Sequence, residues 1–269
     1  IAIVRDTNCA VTKQILDYEQ SETNNWNPTK VESNEDLNAL LAQKLQVNNC
    51  IEIQGPPGTG KTYRMAALSA ELLRQGKSVL VTALTNQALI ELVKKKDLKD
   101  FLDAHKITKT SLTVDESKEL PKLQPNPKNL CNAAPGYLSL ATFYLSSAWA
   151  KDAIEIPFDY VIMDEASQAL YPMIAASMKL GRKIIWIGDQ NQLPPIVLTG
   201  KDVINRYDWG AIVKGFNTLC TIFSYPSYML KDTFRLTERG AACTGIFYNN
   251  DLNSVSKIQT IKSDRKSTR

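Results

Sequence analysis

Apolar positions recur along the chain in two periods, one helical and one strand-like. Leu37, Leu40, Leu41, Leu45 and Val47 fall at helical intervals and predict a helix from about residue 37. A short strand follows at Cys50–Gln54, then a Gly/Pro loop, then a helix to about Gln75 that Gly76 ends. Ser78–Ala83 reads as a second strand and Asn86–Lys95 as a second helix. Leu138–Ala141, Tyr160–Met163 and Lys183–Ile187 read as three more strands, with helical or loop material between them. Apolar strands alternating with helices predict an α/β fold built on a parallel sheet. Two stretches break the pattern. Residues 1–36 are polar and Asn-rich and receive no assignment. Residues 97–136 are polar and carry Pro121, Pro125, Pro127 and Pro135, which reads as an insertion or a small subdomain.

The loop between the first strand and its helix carries the first chemistry. Gly55-Pro56-Pro57-Gly58-Thr59-Gly60-Lys61-Thr62 fits the phosphate-loop pattern GxxxxGK[ST] without a mismatch. Its glycines let backbone N–H groups close around phosphates, and the helix that it opens adds a partial positive charge. Lys61 is placed to reach the β- and γ-phosphates, and the Thr62 hydroxyl to ligate Mg²⁺. A second acidic element follows the strand Tyr160–Met163, which ends in Asp164-Glu165. In such sheets a carboxylate at a strand's carboxyl end lies beside the phosphate loop. Asp164 is the candidate Mg²⁺ ligand, and Glu165 the candidate that orients or deprotonates the attacking water. Together these elements predict binding and hydrolysis of ATP.

Composition narrows the class. At 269 residues the chain has room for one large domain or two small ones. The longest nearly unbroken apolar stretch, Ala169–Met178, holds Tyr171 and Pro172 and is half the length of about twenty residues that a membrane span needs. No signal-peptide pattern opens the chain, and no membrane partner is expected. The single histidine, His105, excludes His-rich zinc sites. Cys9, Cys50, Cys131, Cys220 and Cys243 form no CxxC pair, which fits reduced thiols and an intracellular setting, cytoplasmic or nuclear. The net charge is +4, but residues 251–269 carry five basic side chains against two acidic ones. A nucleic-acid site would therefore be a local patch, and the basic end reads first as a solvated tail.

The segments after Glu165 carry a family resemblance. Asp164-Glu165-Ala166-Ser167-Gln168, then Gly188-Asp189-Gln190-Asn191-Gln192-Leu193-Pro194-Pro195, resemble superfamily 1 helicases. The nearest branch is the one holding the nonsense-mediated decay RNA helicase and the Okazaki-fragment nuclease-helicase. The GPPGTGKT form of the phosphate loop agrees, as do Leu230-Lys231-Asp232-Thr233-Phe234-Arg235 and Phe247-Tyr248-Asn249-Asn250-Asp251-Leu252. The resemblance spans about residues 37–252. It implies a RecA-like motor domain over 37–232 and the start of a second over 233–269. It also implies that Gln192, supported by Asp189, couples the γ-phosphate to the nucleic-acid groove, and that Arg235 contacts the γ-phosphate. Thr85 and Asn86, at a helix start, resemble a segment that contacts the bound strand, and Thr142 resembles another. Ordinary helix capping is the alternative for Thr85 and Asn86, and the two readings are compatible.

The resemblance thus implies an ATP-dependent helicase or translocase on single-stranded DNA or RNA. An ATP-switched clamp without unwinding is the alternative, and the pair Glu165 and Gln192 speaks against it. Where the family usually reads adenine with a glutamine, this chain has Asn38. The chain opens on Ile1 rather than Met, as a piece of a longer protein would. The family's second arginine finger would belong to a second RecA-like domain beyond Arg269, so residues 1–269 alone are expected to be poorly active.

Overall fold

The computed structural model describes residues 26–126 and 131–256. Cys9, Pro127 and the basic tail from Lys257 lie outside them. The described residues begin with β1 (Thr29–Lys30), α1 (Leu37–Val47), β2 (Cys50–Gln54), α2 (Lys61–Arg74), β3 (Val79–Ala83) and α3 (Asn86–Val93). It continues with α4 (Lys99–Asp103), β4 (Ile107–Lys109), α5 (Val114–Glu119), β5 (Gln124–Pro125), β6 (Leu138–Thr142), α6 (Phe143–Asp152) and β7 (Phe158–Met163). Then come α7 (Tyr171–Leu180), β8 (Gly181–Gly188), α8 (Lys201–Arg206), α9 (Gly210–Val213), α10 (Gly215–Ile222), β9 (Ser227–Met229), β10 (Asp232–Thr233), α11 (Glu238–Gly245) and β11 (Asn253–Ser254). Nine strands form one sheet in the order β1-β9-β2-β8-β7-β3-β6-β4-β5, every pairing parallel. This is the α/β architecture that the apolar runs predict. No described helix is long and apolar enough to cross a membrane.

Both faces of the sheet are covered, so its central strands are apolar at nearly every position. Successive side chains point to opposite faces. Ile51, Ile53, Val79, Val81, Ile185 and Ile187 pack with α1, α2 and α3. Leu80, Val161, Met163, Ile184 and Trp186 pack on the other side, with α6, α7 and α10. α2 stops where Gly76 turns left-handed (φ 72°), its N–H donating to the Leu73 carbonyl and that of Lys77 to the Leu72 carbonyl.

Two polar stretches join the sheet. In the described part of 97–136, β4 pairs with β6 and β5 with β4, so of the two readings, insertion or small subdomain, the pairing fits an insertion that lengthens the main sheet at one edge. Its polar sequence conceals this. Lys109 on β4 is 1% exposed, yet its ammonium is held by Glu116 (3.2 Å) and the Ser111 carbonyl (2.6 Å). The unassigned lead-in supplies the opposite edge, where β1 pairs with β9.

Within β2 a core-facing position is acidic. Glu52 on β2 is fully buried and accepts a hydrogen bond from Trp26 Nε1 (2.7 Å). Burial pushes its carboxyl up to about 8, and the hydrogen bonds from Trp26 and Cys220 offset this in part. Between the ordinary carboxyl range and pH 8 the folded state thus holds one proton more than the unfolded chain. Stability must fall as pH rises across that window, since the slope follows the difference in bound protons. Glu52→Gln is expected to remove this contribution. Urea midpoints at pH 6 and pH 8.5 should converge in the variant relative to the parent, and an unchanged pH difference would show that Glu52 ionises freely.

Candidate functional site

In a parallel sheet every strand's carboxyl end lies at the same edge, so the loops that follow the strands meet there. The phosphate loop follows β2, Asp164 and Glu165 follow β7, and Asp189–Gln192 follow β8, which lies between β2 and β7. Residues more than a hundred positions apart therefore line one cavity of about 750 Å³: Lys61, Thr62, Asp164, Glu165, Gln192 and Arg235 all face it.

The loop needs its glycines. Gly58 and Gly60 are left-handed, with φ 76° and 80°. A Cβ on Gly58 would also lie 2.5 Å from Arg235 Cβ and 2.7 Å from Thr233 Oγ1, so no side chain fits between the loop and the segment carrying Arg235. Thr59 Oγ1 donates to the Pro56 carbonyl (2.8 Å), fixing the turn. Lys61 Nζ donates to the Gly55 carbonyl (2.6 Å) and more distantly to that of Pro56 (3.4 Å). Burial pulls the Lys61 ammonium down, while Asp164, Asp189 and Glu165 pull it back up.

The acidic pair divides by environment. Asp164 is buried, and its Oδ1 accepts the Glu165 N–H (2.8 Å). Burial, then the neighbouring Glu165 charge, raise its carboxyl to about 6, with Lys61 lowering it in part. Glu165 is exposed and left-handed (φ 52°), which turns the chain sharply into the 3-10 turn Ala166–Gln168. A buried carboxylate that lines the same cavity as a hydroxyl and a phosphate loop is a hard-oxygen donor set of the kind a divalent cation takes. Thr62 and Asp164 therefore fit Mg²⁺.

Arg235 is positioned from a distance. Phe234 N–H donates to the Gly58 carbonyl (2.9 Å) and Thr233 Oγ1 to the Pro57 carbonyl (3.0 Å). Asn34 completes the clamp. It is 1% exposed, and its Nδ2 donates to the carbonyls of Thr59 (3.0 Å) and Asp232 (2.7 Å), while its Oδ1 accepts the N–H groups of Lys231 and Asp232. One buried amide thus makes four hydrogen bonds, using its full capacity as a donor and joining the phosphate loop to the arginine segment. Asn34→Ala strands these backbone groups and is expected to cost about 2–4 kcal/mol in denaturant unfolding. Asn34→Asp should not rescue it, because the Thr59 and Asp232 carbonyls need donors. A loss under about 0.5 kcal/mol, the scale of ordinary surface changes, would refute the clamp.

Nothing in the local sequence marks Asn34, and Tyr63 and Lys95 line the cavity with no motif to mark them, beside Phe234 of the segment that carries Arg235. Asn38 does not line it; it lines a smaller cavity with Gln46 of α1 and Leu68 of α2. The nucleic-acid candidates lie outside the cavity too. Thr85 Oγ1 accepts the Ala88 N–H (3.2 Å) as the cap of α3, so its capping reading is realised. Asn86 next to it is exposed. Thr142 pairs in register with Ala83 and heads α6 without a side-chain cap bond. The three thus sit at the ends of neighbouring strands.

The chain is similar to several known proteins. The DNA replication ATP-dependent helicase/nuclease DNA2 of Saccharomyces cerevisiae is 30% identical over 162 residues, covering 54% of this chain and 10% of that protein. A Drosophila melanogaster regulator of nonsense transcripts 1 homolog is 30% identical over 185 residues, covering 55% of this chain and 16% of its own length. The chain therefore matches only a small part of either relative. Among solved structures, arterivirus nonstructural protein 10, a helicase, in complex with DNA, covers 81% of this chain and 44% of its own, at 14% identity and a TM-score of 0.46. A family model described as an AAA domain matches residues 32–122 and 140–200, a span that takes in the phosphate loop, Asp164, Glu165 and Gln192. That match covers more than half of the chain, which belongs to this AAA-domain family.

Proposed function

We propose that this chain is the first RecA-like motor domain of an ATP-dependent helicase or translocase acting on single-stranded DNA or RNA. The observation that carries the proposal is the single cavity in which Lys61, Thr62, Asp164, Glu165, Gln192 and Arg235 converge. A site for storing nucleotide would not need an exposed carboxylate, an amide and an arginine around the same phosphate loop. In this reading Lys61 and the loop N–H groups hold the β- and γ-phosphates. Thr62 and Asp164 hold Mg²⁺, which when bound neutralises phosphate charge. Glu165 orients the attacking water and accepts its proton. Gln192 and Arg235 meet the γ-phosphate, and Asp189 orients Gln192 through a 2.9 Å hydrogen bond.

The domain expected over residues 37–232 would also take in β1 and Asn34, and residues from 233 onward would begin its RecA-like partner. The latter is supported by β10, α11 and β11, a βαβ unit whose two parallel strands form a sheet of their own. Thr85, Asn86 and Thr142 would contact the strand backbone, where neutral donors position without reading sequence. Relatives named for DNA replication and for nonsense transcripts leave both nucleic acids as substrates and fit an intracellular setting. The test is ATP turnover by the intact protein with and without single-stranded oligonucleotides. Stimulation is expected, and turnover indifferent to every single strand would overturn the reading.

A further inference from the structure

The nucleotide cavity accounts for only part of what Asp189 does. This carboxylate, 1% exposed, follows β8 and is a hub for neutral donors. Its Oδ1 accepts the Asn191 N–H (3.2 Å) and, at 3.5 Å, Gln54 Nε2. Its Oδ2 accepts two donors at once: Gln192 Nε2 at 2.9 Å and the Tyr248 hydroxyl at 2.6 Å. The shortest of the four bonds thus comes from 59 residues further along the chain.

Tyr248 closes the 3-10 turn Ile246–Tyr248 that follows α11. It is buried, while its neighbours Ile246 and Phe247 are each 70% exposed. Asn249 and Asn250 after it are both left-handed (φ 56° and 61°), reversing the chain into β11. A second bond reinforces the first, as Asn191 Nδ2 donates to the Phe247 carbonyl (2.7 Å). Two adjacent residues, 247 and 248, are therefore fastened to the four-residue loop 189–192, whose last member lines the nucleotide cavity. The phenol ring itself packs in a separate small cluster with Met229, Ala241 and Leu252. Ring and hydroxyl therefore have separable jobs. Burial and the Asp189 charge push the phenol well up, so it remains a donor at working pH.

We propose that Tyr248 is a positioning residue for Gln192, through which movement of the chain beyond α11 reaches the γ-phosphate end of the cavity by way of Asp189. The inference rests on the reading above that Gln192 faces the γ-phosphate. Its physical basis is the shared acceptor. Tyr248 and Gln192 divide the lone pairs of one oxygen, so withdrawing the hydroxyl leaves a buried carboxylate oxygen under-bonded. The carboxylate must then turn toward its remaining donors, and Gln192 must turn with it.

Tyr248→Phe tests this in the intact protein, since it keeps the packed ring and removes only the hydroxyl. The expected result is a kcat for ATP lowered about tenfold with KM within about twofold, as befits one hydrogen bond to a charged group acting after binding. In a Gln192→Ala background, the same change should cost nothing further, because the residue it positions is gone. Parental kcat in Tyr248→Phe, or an equal loss in both backgrounds, would overturn the inference. All four rates are read without nucleic acid, so the cycle is independent of strand stimulation. A parent that turns over ATP but ignores single strands would overturn the helicase reading alone, and a parent with no turnover would overturn both.

Discussion

Glu165→Gln is expected to stop ATP turnover in the intact protein while nucleotide continues to bind. The substitution keeps size and shape and removes only the capacity to accept a proton from water. Glu165 is the exposed member of the acidic pair, at the cavity wall, whereas Asp164 is buried with its Oδ1 tied to a backbone N–H. The groups that would grip phosphate are untouched, because the loop, Lys61 and Thr62 belong to β2 and α2. General-base assistance contributes about 10²–10⁴ in rate, and the variant should lose an amount in that range. Lys61→Ala should fail differently. It removes the cation held by the Gly55 and Pro56 carbonyls, so nucleotide affinity itself should fall. A fluorescent ATP analogue titrated into both variants, beside phosphate release, separates the outcomes. Parental turnover by Glu165→Gln would assign the water-orienting role elsewhere.

What the sequence disclosed and what it hid follow one physical rule. Signals carried by neighbouring residues were legible, and those carried by distant partners were not. β2, β3, β6, β7 and β8 are buried on both faces, so each reads as an apolar run, and their ends were found within about two residues. The phosphate loop is contiguous and was read residue by residue. β1 has only two positions, both exposed, and no periodicity could announce it. β4 was hidden by Lys109, whose charge looks solvated until Glu116 and Ser111 are seen around it. The interval from residue 196 to 226 holds three short helices, α8, α9 and α10, that no single apolar period marks.

The same rule divides the site. Gln192 and Arg235 stand out as candidates because ordered segments around them resemble a known family. Asn34 does not stand out, since it lies in a stretch that reads as polar lead-in and its partners are 25 and 198 residues away. Asp189 was legible as support for Gln192, but the hydroxyl of Tyr248 on the same oxygen was not. A tyrosine within an apolar triplet looks like packing, and its ring does pack. Thr85 carries a different lesson. Its hydroxyl does cap α3, and a capping residue at an exposed helix start leaves its N–H neighbours available to a phosphate as well.

Arg235→Ala is expected to lower turnover by about 10³–10⁵, the range that an arginine finger supplies in related phosphoryl-transfer enzymes. The charge that builds on the γ-phosphate is spread over its oxygens, and a planar guanidinium can donate to two of them at once. Arg235 is exposed at the cavity wall, so truncating it disturbs little packing. Its backbone is nevertheless fixed. Phe234 N–H binds the Gly58 carbonyl, Thr233 Oγ1 binds the Pro57 carbonyl, and Asn34 holds Lys231 and Asp232. With the backbone so fixed, the ordering cost on meeting phosphate is confined to the rotamers of the side chain itself. Arg235→Lys should therefore recover only a small part of the loss, because an ammonium is a point donor that cannot reproduce the fork. Nucleotide affinity should change far less than kcat, since the interaction strengthens as charge develops. Single-turnover hydrolysis of γ-labelled ATP by parent, Arg235→Ala and Arg235→Lys decides the matter. Equal rates for arginine and lysine would mean that charge alone, and not the bidentate geometry, is what this position supplies.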